Sequence, residues 1–337
     1  MQKLRLVVPV FNDWISCGYL LHDLDRVAGE LPFRISVSLV NDGSMEPAVI
    51  ADVSTLTNLE SVEIIHLSLN LGHQRAIAVG LCVAVQDGDF DAVLIMDADG
   101  EDSPQVLGRL LAAADGEDDF CIVAQRRRRS ENLTFRLSYL TYKFLFKMLT
   151  GAQINFGNFS VLSRNYAERL VRVPDLWNNL PAAILRSRFP IRFIPTDRAQ
   201  RYAGNSKMNF TSLVVHGLSG ISVYADTIFV RMLLLTMGMA AVTGVSIAIV
   251  LSLRIFFPIH ATPGWATTVS FGMIIVLVQI FSVTLSSILM LLNSRVQRLI
   301  MPIADYRGYV EWREPLLNAE IRKSAMRNLH NLPEMRG

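Results

Sequence analysis

The first two hundred or so residues alternate short apolar runs with stretches that carry apolar residues at helical spacing. The short runs are rich in aliphatic residues and bounded by turn residues, which predicts buried β-strands. They are Leu4–Val10, Phe33–Val40, Val62–Leu67, Ala92–Met96, Phe120–Ala124 and Ile191–Pro195. The spacing predicts helices over 14–29, from Pro47 onwards, and from Gln74 to about Val85. Strands alternating with helices predict an α/β fold with a doubly wound, mostly parallel sheet.

Acidic residues follow three of these strands. Asp13 follows the first, Asp42 the second, and the segment Asp97–Asp102 the fourth. The carboxyl ends of parallel strands share one edge of a sheet, where such folds bind ligands. Clustered carboxylates raise one another's pKa unless a cation lies among them, and oxygen ligands suit Mg²⁺ or Mn²⁺. Each acid taken alone also fits a solvated turn or a helix cap; three at successive strand ends favour one acidic crevice for a nucleotide with a metal on its diphosphate.

Several protein classes are excluded or disfavoured. The first strand is not followed by GxGxxG, which argues against a dinucleotide-binding oxidoreductase, and the chain has no GxxxxGK[ST], which argues against a P-loop NTPase. The net charge of +2 gives no reason to expect a nucleic-acid partner. Three widely separated cysteines, Cys17, Cys82 and Cys121, are expected to be buried thiols in a reducing compartment.

Two long uncharged stretches follow. Met232–Leu253 and about Thr268–Leu292 are each long enough to cross a hydrocarbon core of about 30 Å, although a buried helical hairpin in a soluble protein is the alternative. The connecting residues 257–267 hold no Lys or Arg, whereas basic residues flank both outer ends: Lys207, Arg231, Arg295, Arg298, Arg307 and Arg313. The positive-inside rule therefore places both ends in the cytoplasm. Small residues in the spans would permit helix packing in a homo-oligomer.

The predicted organisation has four parts: a cytoplasmic catalytic domain over 1–208, an amphipathic juxtamembrane helix over 209–230, two transmembrane helices over 231–294, and a cytoplasmic tail over 295–337. The chain starts directly in a strand pattern, so no signal peptide is expected. An integral protein of a bacterial inner membrane fits this layout.

Four motifs in order resemble those of family 2 glycosyltransferases. They are Pro9-Val10-Phe11-Asn12-Asp13, Val40-Asn41-Asp42-Gly43-Ser44, Asn70-Leu71-Gly72-His73 and Asp97-Ala98-Asp99. The set is similar to the polyprenyl-phosphate glycosyltransferase subgroup, which includes dolichol-phosphate mannose synthase and the bactoprenol glucosyltransferases. The resemblance covers roughly residues 1–294. It implies a GT-A-like nucleotide-diphospho-sugar transferase fold.

The resemblance also implies roles for individual residues. Nucleotide binding falls on Pro9, Phe11, Asp13, Asp42, Asp97 and Ala98. The metal ligands would be Asp97, Asp99 and Glu101, with Asp99 the main ligand of Mg²⁺ or Mn²⁺. Glu101 stands where relatives often carry Gln, and a carboxylate there would bind the cation more tightly.

The acceptor side is basic. Arg126–Arg129 precede an aromatic and basic stretch up to residue 150 that fits a helix in the membrane interface, or else a solvated charge run and a core helix. By resemblance, Arg126, Arg136 and Ser206 would contact the acceptor phosphate. The segment Arg201–Lys207 resembles the family's R-x-x-G-x-S-K loop, so Arg201 and Lys207 would act on the diphosphate; a basic turn before a membrane anchor is the alternative.

Asn158 departs from the family pattern, because many relatives carry an Asp there that is assigned as the catalytic base. An amide cannot take up a proton at neutral pH, but a phosphate monoester is already mostly ionised and needs no base. Asn158 could therefore orient the acceptor. The expected function is inverting transfer of one hexose from a UDP- or GDP-sugar to a polyprenyl phosphate. The alternatives are a lipid hydroxyl or glycan acceptor, and a non-catalytic membrane scaffold or flippase partner.

Overall fold

The computed structural model describes residues 2–114, 116–126, 146–151, 155–203, 217–256, 264–296 and 299–318. The chain divides into two units. The first comprises Met1–Ser138, Gln153–Val223 and Ile300–Gly337, and the second comprises Tyr139–Ala152 and Tyr224–Leu299.

The strands of the first unit are β1 Gln2–Val10, β2 Phe33–Asn41, β3 Ser61–Leu67, β4 Ala92–Ile95, β5 Cys121–Arg126, β6 Ser160–Ser163, β7 Arg192–Thr196 and β8 Val310–Leu317. Its helices are α1 Trp14–Ala28, α2 His73–Asp87, α3 Leu107–Ala112, α4 Arg164–Leu170, α5 Leu180–Arg186 and, after the second unit, α8 Pro302–Asp305. The second unit contains α6 Ala225–Phe256 and α7 Trp265–Val296.

The eight strands form one sheet in the order β7-β5-β6-β4-β1-β2-β3-β8. The pairs β1–β2, β1–β4, β2–β3 and β5–β7 are parallel, which confirms the predicted mostly parallel sheet. β6 runs antiparallel between β4 and β5, and β8 runs antiparallel along the edge strand β3. The sequence pattern indicated neither of these two strands. Half of the residues of β8 are exposed, and the strand contains charged residues, so it lacks the continuous apolar run of a buried strand.

Both faces of the sheet are covered, which is why β4 and the second half of β1 are apolar. Leu4, Leu6 and Val8 of β1 pack with α1 and α3 on one face, whereas Val7 packs with α2 on the other. The same alternation holds along β4. Cys17, Cys82 and Cys121 are buried and unbridged, as predicted, and burial raises the pKa of each thiol.

The prediction of a helix from Pro47 was wrong. Residues 42–60 are all described and contain a single turn of 3-10 helix, Val53–Thr55. The Asn12 side chain accepts hydrogen bonds from the backbone N–H groups of Met45 and Glu46, at 2.9 and 3.2 Å. This long-range contact fixes the loop in a shape that local spacing could not reveal.

Helices α6 and α7 are long and apolar enough to cross a membrane by length and composition. Only 6% of each apolar window is buried in the structure, which is unlike the core helix of a soluble protein. Within the two predicted interfacial helices, the structure shows helix at residues 146–150 and 217–222, and residues 225–230 are the start of α6. Much of the remainder lies outside the described residues.

An ion-pair network attaches β8 to the sheet. Arg313 contacts Glu63 of β3 and Asp87 at the end of α2, both at 2.7 Å, and Arg5 of β1 contacts the same two carboxylates. The network stabilises the edge because two guanidinium groups share two carboxylates, whereas an isolated surface pair contributes little.

We expect Arg313→Ala to lower the free energy of unfolding by about 1 kcal/mol, an effect that high salt reduces. Thermal unfolding in detergent would measure it. Arg34→Ala is the matched control, since the Arg34–Glu60 pair is isolated and exposed. Equal effects of the two substitutions would contradict a stabilising role for the network.

Candidate active site

The acidic side chains predicted to meet at one edge of the sheet follow three adjacent strands. The order β4-β1-β2 puts the ends of these strands side by side, with Val10 of β1 in register with Asn41 of β2. Asp13, Asp42 and Asp97 therefore begin from neighbouring strand ends. The sheet topology produces the expected acidic edge.

Arg201 lies between Asp13 and Asp99, which is in the acidic segment after β4. Its Nη2 atom is 3.5 Å from Oδ2 of Asp13 and 3.2 Å from Oδ2 of Asp99. Its Nε atom is buried and has no hydrogen-bond partner among the described residues. Two carboxylates from different strand ends thus share one guanidinium group.

The segment that carries Arg201 is held against the acidic segment by its backbone. The N–H of Ala199 donates to the carbonyl of Glu101 at 3.1 Å, and the N–H of Tyr202 donates to the carbonyl of Asp99 at 2.9 Å. Gly100 allows this approach, because it has a φ of +87° and a Cβ there would lie 2.4 Å from the Tyr202 ring. The two segments therefore form one structural element of the site.

The environment of Asp99 disfavours its ionised form. Burial and the nearby charge of Asp97 raise the pKa of Asp99 to about 6, and Arg201 offsets this only in part. A divalent cation would relieve the remaining repulsion, so Asp97 and Asp99 fit a metal site chemically.

Glu101, the third predicted ligand, forms an ion pair with Arg198. Among the described residues, no three His, Cys, Asp or Glu side chains converge as a ready-made metal site. The metal ligands remain a prediction.

Asp42 is buried and holds a neighbouring loop. Its two carboxylate oxygens accept hydrogen bonds from the N–H groups of Leu71 and Gly72, at 2.7 and 3.0 Å. Burial raises the pKa of Asp42 despite these bonds. Of the other predicted nucleotide-binding residues, Pro9 and Ala98 are buried and Phe11 is 39% exposed.

The structure adds His73, Gln74 and Arg198 to the residues that the sequence indicated. His73 Nε2 lies 3.1 Å from Oδ1 of Asp97 and 2.9 Å from Nδ2 of Asn158. Burial lowers the pKa of His73, but nearby carboxylates, Asp97 first, raise it by more, so the net shift is upward. His73 is the last residue of the third motif and the first residue of α2, and that position was the available signal.

Several predicted acceptor and diphosphate contacts cannot be placed. Arg136, Ser206 and Lys207 lie outside the described residues. Arg126 ends β5 in register with Thr196, and its backbone alone is described.

Comparison with known proteins gives a match between residues 6–176 and the family Glycosyl transferase family 2. The undecaprenyl-phosphate 4-deoxy-4-formamido-L-arabinose transferase of Proteus mirabilis is 27% identical over 267 residues, which cover 76% of this chain and 78% of that protein. An uncharacterised glycosyltransferase of Synechocystis sp. is 23% identical over 221 residues, which cover 65% of this chain and 68% of that protein.

Solved structures also resemble this chain. Mannosyl-3-phosphoglycerate synthase from Rubrobacter xylanophilus has a TM-score of 0.49 at 17% identity, with 67% of this chain and 73% of that chain covered. Glucosyl-3-phosphoglycerate synthase from Mycobacterium tuberculosis, crystallised with Mn²⁺, UDP-glucose and phosphoglyceric acid, has a TM-score of 0.47 at 13% identity, with 67% and 80% covered.

The family match spans the strands β1 to β4 and the acidic edge at their ends. It confirms the resemblance carried by the four motifs. The chain belongs to glycosyltransferase family 2.

Proposed function

We propose that this chain transfers one hexose from a UDP- or GDP-sugar to a polyprenyl phosphate, with inversion, at the cytoplasmic face of a bacterial inner membrane. The observation that carries the proposal is the position of Arg201 between Asp13 and Asp99. A guanidinium group held by two carboxylates at a nucleotide-binding edge can be drawn to an incoming diphosphate, which leaves Asp99 for a divalent cation.

The part of the site that would bind the nucleotide sugar then combines acidic and basic side chains. Asp97 and Asp99 would hold Mg²⁺ or Mn²⁺, which neutralises charge on the leaving diphosphate when bound. Arg201, and by resemblance Lys207, would stabilise the same charge. Asp13 and Asp42 would position the nucleotide, Asp42 through the loop at Leu71 and Gly72 that it holds.

In the proposed reaction, an oxygen of the lipid phosphate forms a bond to the anomeric carbon. The bond from that carbon to the nucleoside diphosphate breaks, and its electron pair leaves with the diphosphate. No proton moves if the phosphate is already a dianion, which fits an amide at position 158.

The chain connectivity supports a membrane-bound enzyme with both ends of the α6–α7 pair on one side. The chain leaves the sheet after β7, passes through α6 and α7, and returns to the sheet as β8 beside β3. β8 and β3 must lie on the same side of a membrane, so an even number of crossings separates them. Two crossings, together with the basic flanks, favour a cytoplasmic catalytic domain.

A donor screen tests the proposed function. The detergent-solubilised full chain is incubated with undecaprenyl phosphate, Mn²⁺ or Mg²⁺ and each labelled nucleotide sugar. We expect one donor to yield a glycolipid. We expect Asp99→Ala to lower its rate of formation by at least about a hundredfold, because charge stabilisation on the leaving group is lost. Asp118→Ala, at an exposed acid outside the site, is the control.

The outcomes separate the alternatives. Product with a lipid hydroxyl or a glycan, but not with the phosphate, would replace the proposed acceptor. No product with any donor and acceptor would favour a scaffold. Full activity in Asp99→Ala would show that the metal assignment is wrong.

The raised pKa of Asp99 gives a second prediction. The ionised carboxylate is disfavoured in the folded protein, so Asp99 lowers the free energy of unfolding above about pH 6. This loss of stability disappears as the pH falls towards 3.8, the ordinary pKa of an aspartate. Without divalent ions, Asp99→Asn should therefore stabilise the protein at about pH 7.5, on the order of 1–3 kcal/mol, and not near pH 4. Thermal unfolding in chelator measures this, with Asp118→Asn as the control. If the gain in stability of Asp99→Asn does not change with pH, the raised pKa of Asp99 is not its cause.

Gly100 gives a third prediction. We expect Gly100→Ala to displace Tyr202 and with it Arg201, and to lower the transfer rate by at least about tenfold, because a side chain at this positive φ is strained as well as crowded. Gly108→Ala is the control, since a Cβ there meets Leu31 at 3.4 Å, an ordinary contact, within α3. Equal transfer rates in both variants would mean that the close approach is not needed.

A further inference from the structure

Three consecutive hydrogen bonds lead from the start of α5 to the acidic edge. The backbone N–H of Leu180 donates to Oε1 of Gln74 at 2.7 Å, and Nε2 of Gln74 donates to Oδ1 of Asn158 at 2.9 Å. Nδ2 of Asn158 then faces Nε2 of His73 at 2.9 Å. We refer to Leu180, Gln74, Asn158 and His73 as the amide relay.

The direction of the amide relay is set at its buried end. A backbone N–H can only donate, so the atom of Gln74 that faces Leu180 must be its oxygen. The amide nitrogen of Gln74 then faces Asn158, so the amide oxygen of Asn158 must accept the hydrogen bond. Gln74 is 7% exposed and Leu180 is fully buried, so water is poorly placed to replace either partner.

The direction decides which atom of Asn158 faces the acidic edge. Its nitrogen lies on the side of His73, which in turn contacts Asp97. An amide nitrogen carries two hydrogens. One can bond to Nε2 of His73, which accepts it only when that nitrogen carries no proton and therefore does not donate to Asp97. The second hydrogen remains for a substrate oxygen. Position 158 therefore offers a hydrogen-bond donor to a reactant at this edge.

We propose that Gln74 is a positioning residue that holds Asn158 as a hydrogen-bond donor to an anionic oxygen of the acceptor. The inference rests on the proposed function and narrows its acceptor to one that arrives ionised, such as a phosphate monoester. A hydroxyl acceptor would need a group that removes its proton, and a donating amide does not. Gln74 acts through Asn158 and does not touch the reacting atoms.

A double-substitution cycle tests the inference. Gln74→Met keeps the length of the side chain but removes both hydrogen bonds, which leaves the Asn158 amide free to turn. We expect it to raise the KM for undecaprenyl phosphate by at least about tenfold, the loss expected for one hydrogen bond to a charged group. The donor KM should change by much less than the acceptor KM, because Gln74 reaches the donor side only through Asn158 and His73.

Asn158→Ala should raise the acceptor KM at least as much, and adding Gln74→Met to it should change nothing further. Gln86→Met is the matched control, since Gln86 is exposed at the other end of α2. Thermal unfolding, and binding of the nucleoside diphosphate of the donor identified in the screen, establish that each variant is folded.

Independent effects of the two substitutions, or a rise in donor KM equal to that in acceptor KM, would overturn the positioning role. Faster transfer in Asn158→Asp, with an unchanged acceptor KM, would overturn the donor role of Asn158. If the wild-type protein transfers the sugar to a hydroxyl acceptor, both the proposed function and the inference of an ionised acceptor are wrong. The same cycle on that acceptor still decides whether Gln74 acts through Asn158.

Discussion

The arrangement of the site depends on the repulsion between carboxylates that a parallel sheet forces together. Strands β4, β1 and β2 end side by side, and each end is followed by an aspartate. Such a cluster needs positive charge, and the protein supplies it with Arg201 between Asp13 and Asp99. Backbone hydrogen bonds from Ala199 and Tyr202 to the acidic segment hold that arginine in place. A metal cation would satisfy the same carboxylates, and a diphosphate would pair with the arginine between them.

The sheet also constrains the membrane segment. Because β8 follows α7 in the chain and pairs with β3, the two apolar helices are an insertion into the sheet domain and not a terminal anchor. The contacts of Arg313 with Glu63 and Asp87 fasten that returning strand. The sheet is therefore complete only after the chain has passed through α6 and α7.

The donor and acceptor halves of the proposed reaction use different physical means. On the donor side, full charges act on a diphosphate, and their Coulomb attraction depends on the distance between the charges. On the acceptor side, the direction of a buried amide pair decides whether position 158 offers a donor or an acceptor. Hydrogen bonds are directional, so this half depends on Gln74 and on the backbone of α5.

Local sequence determined much of this protein. The apolar runs gave six of the strands to within a residue or two, the long uncharged stretches gave both membrane-length helices, and the acids after Val10, Asn41 and Met96 gave the edge where they meet. These features are periodic or contiguous in the chain. Tertiary structure alone decided the loop at Pro47, the antiparallel strands β6 and β8, the pairing of Arg201 with two acids, and the direction of the Asn158 amide. Each of these depends on contacts between residues distant in sequence, whose energies no local pattern encodes.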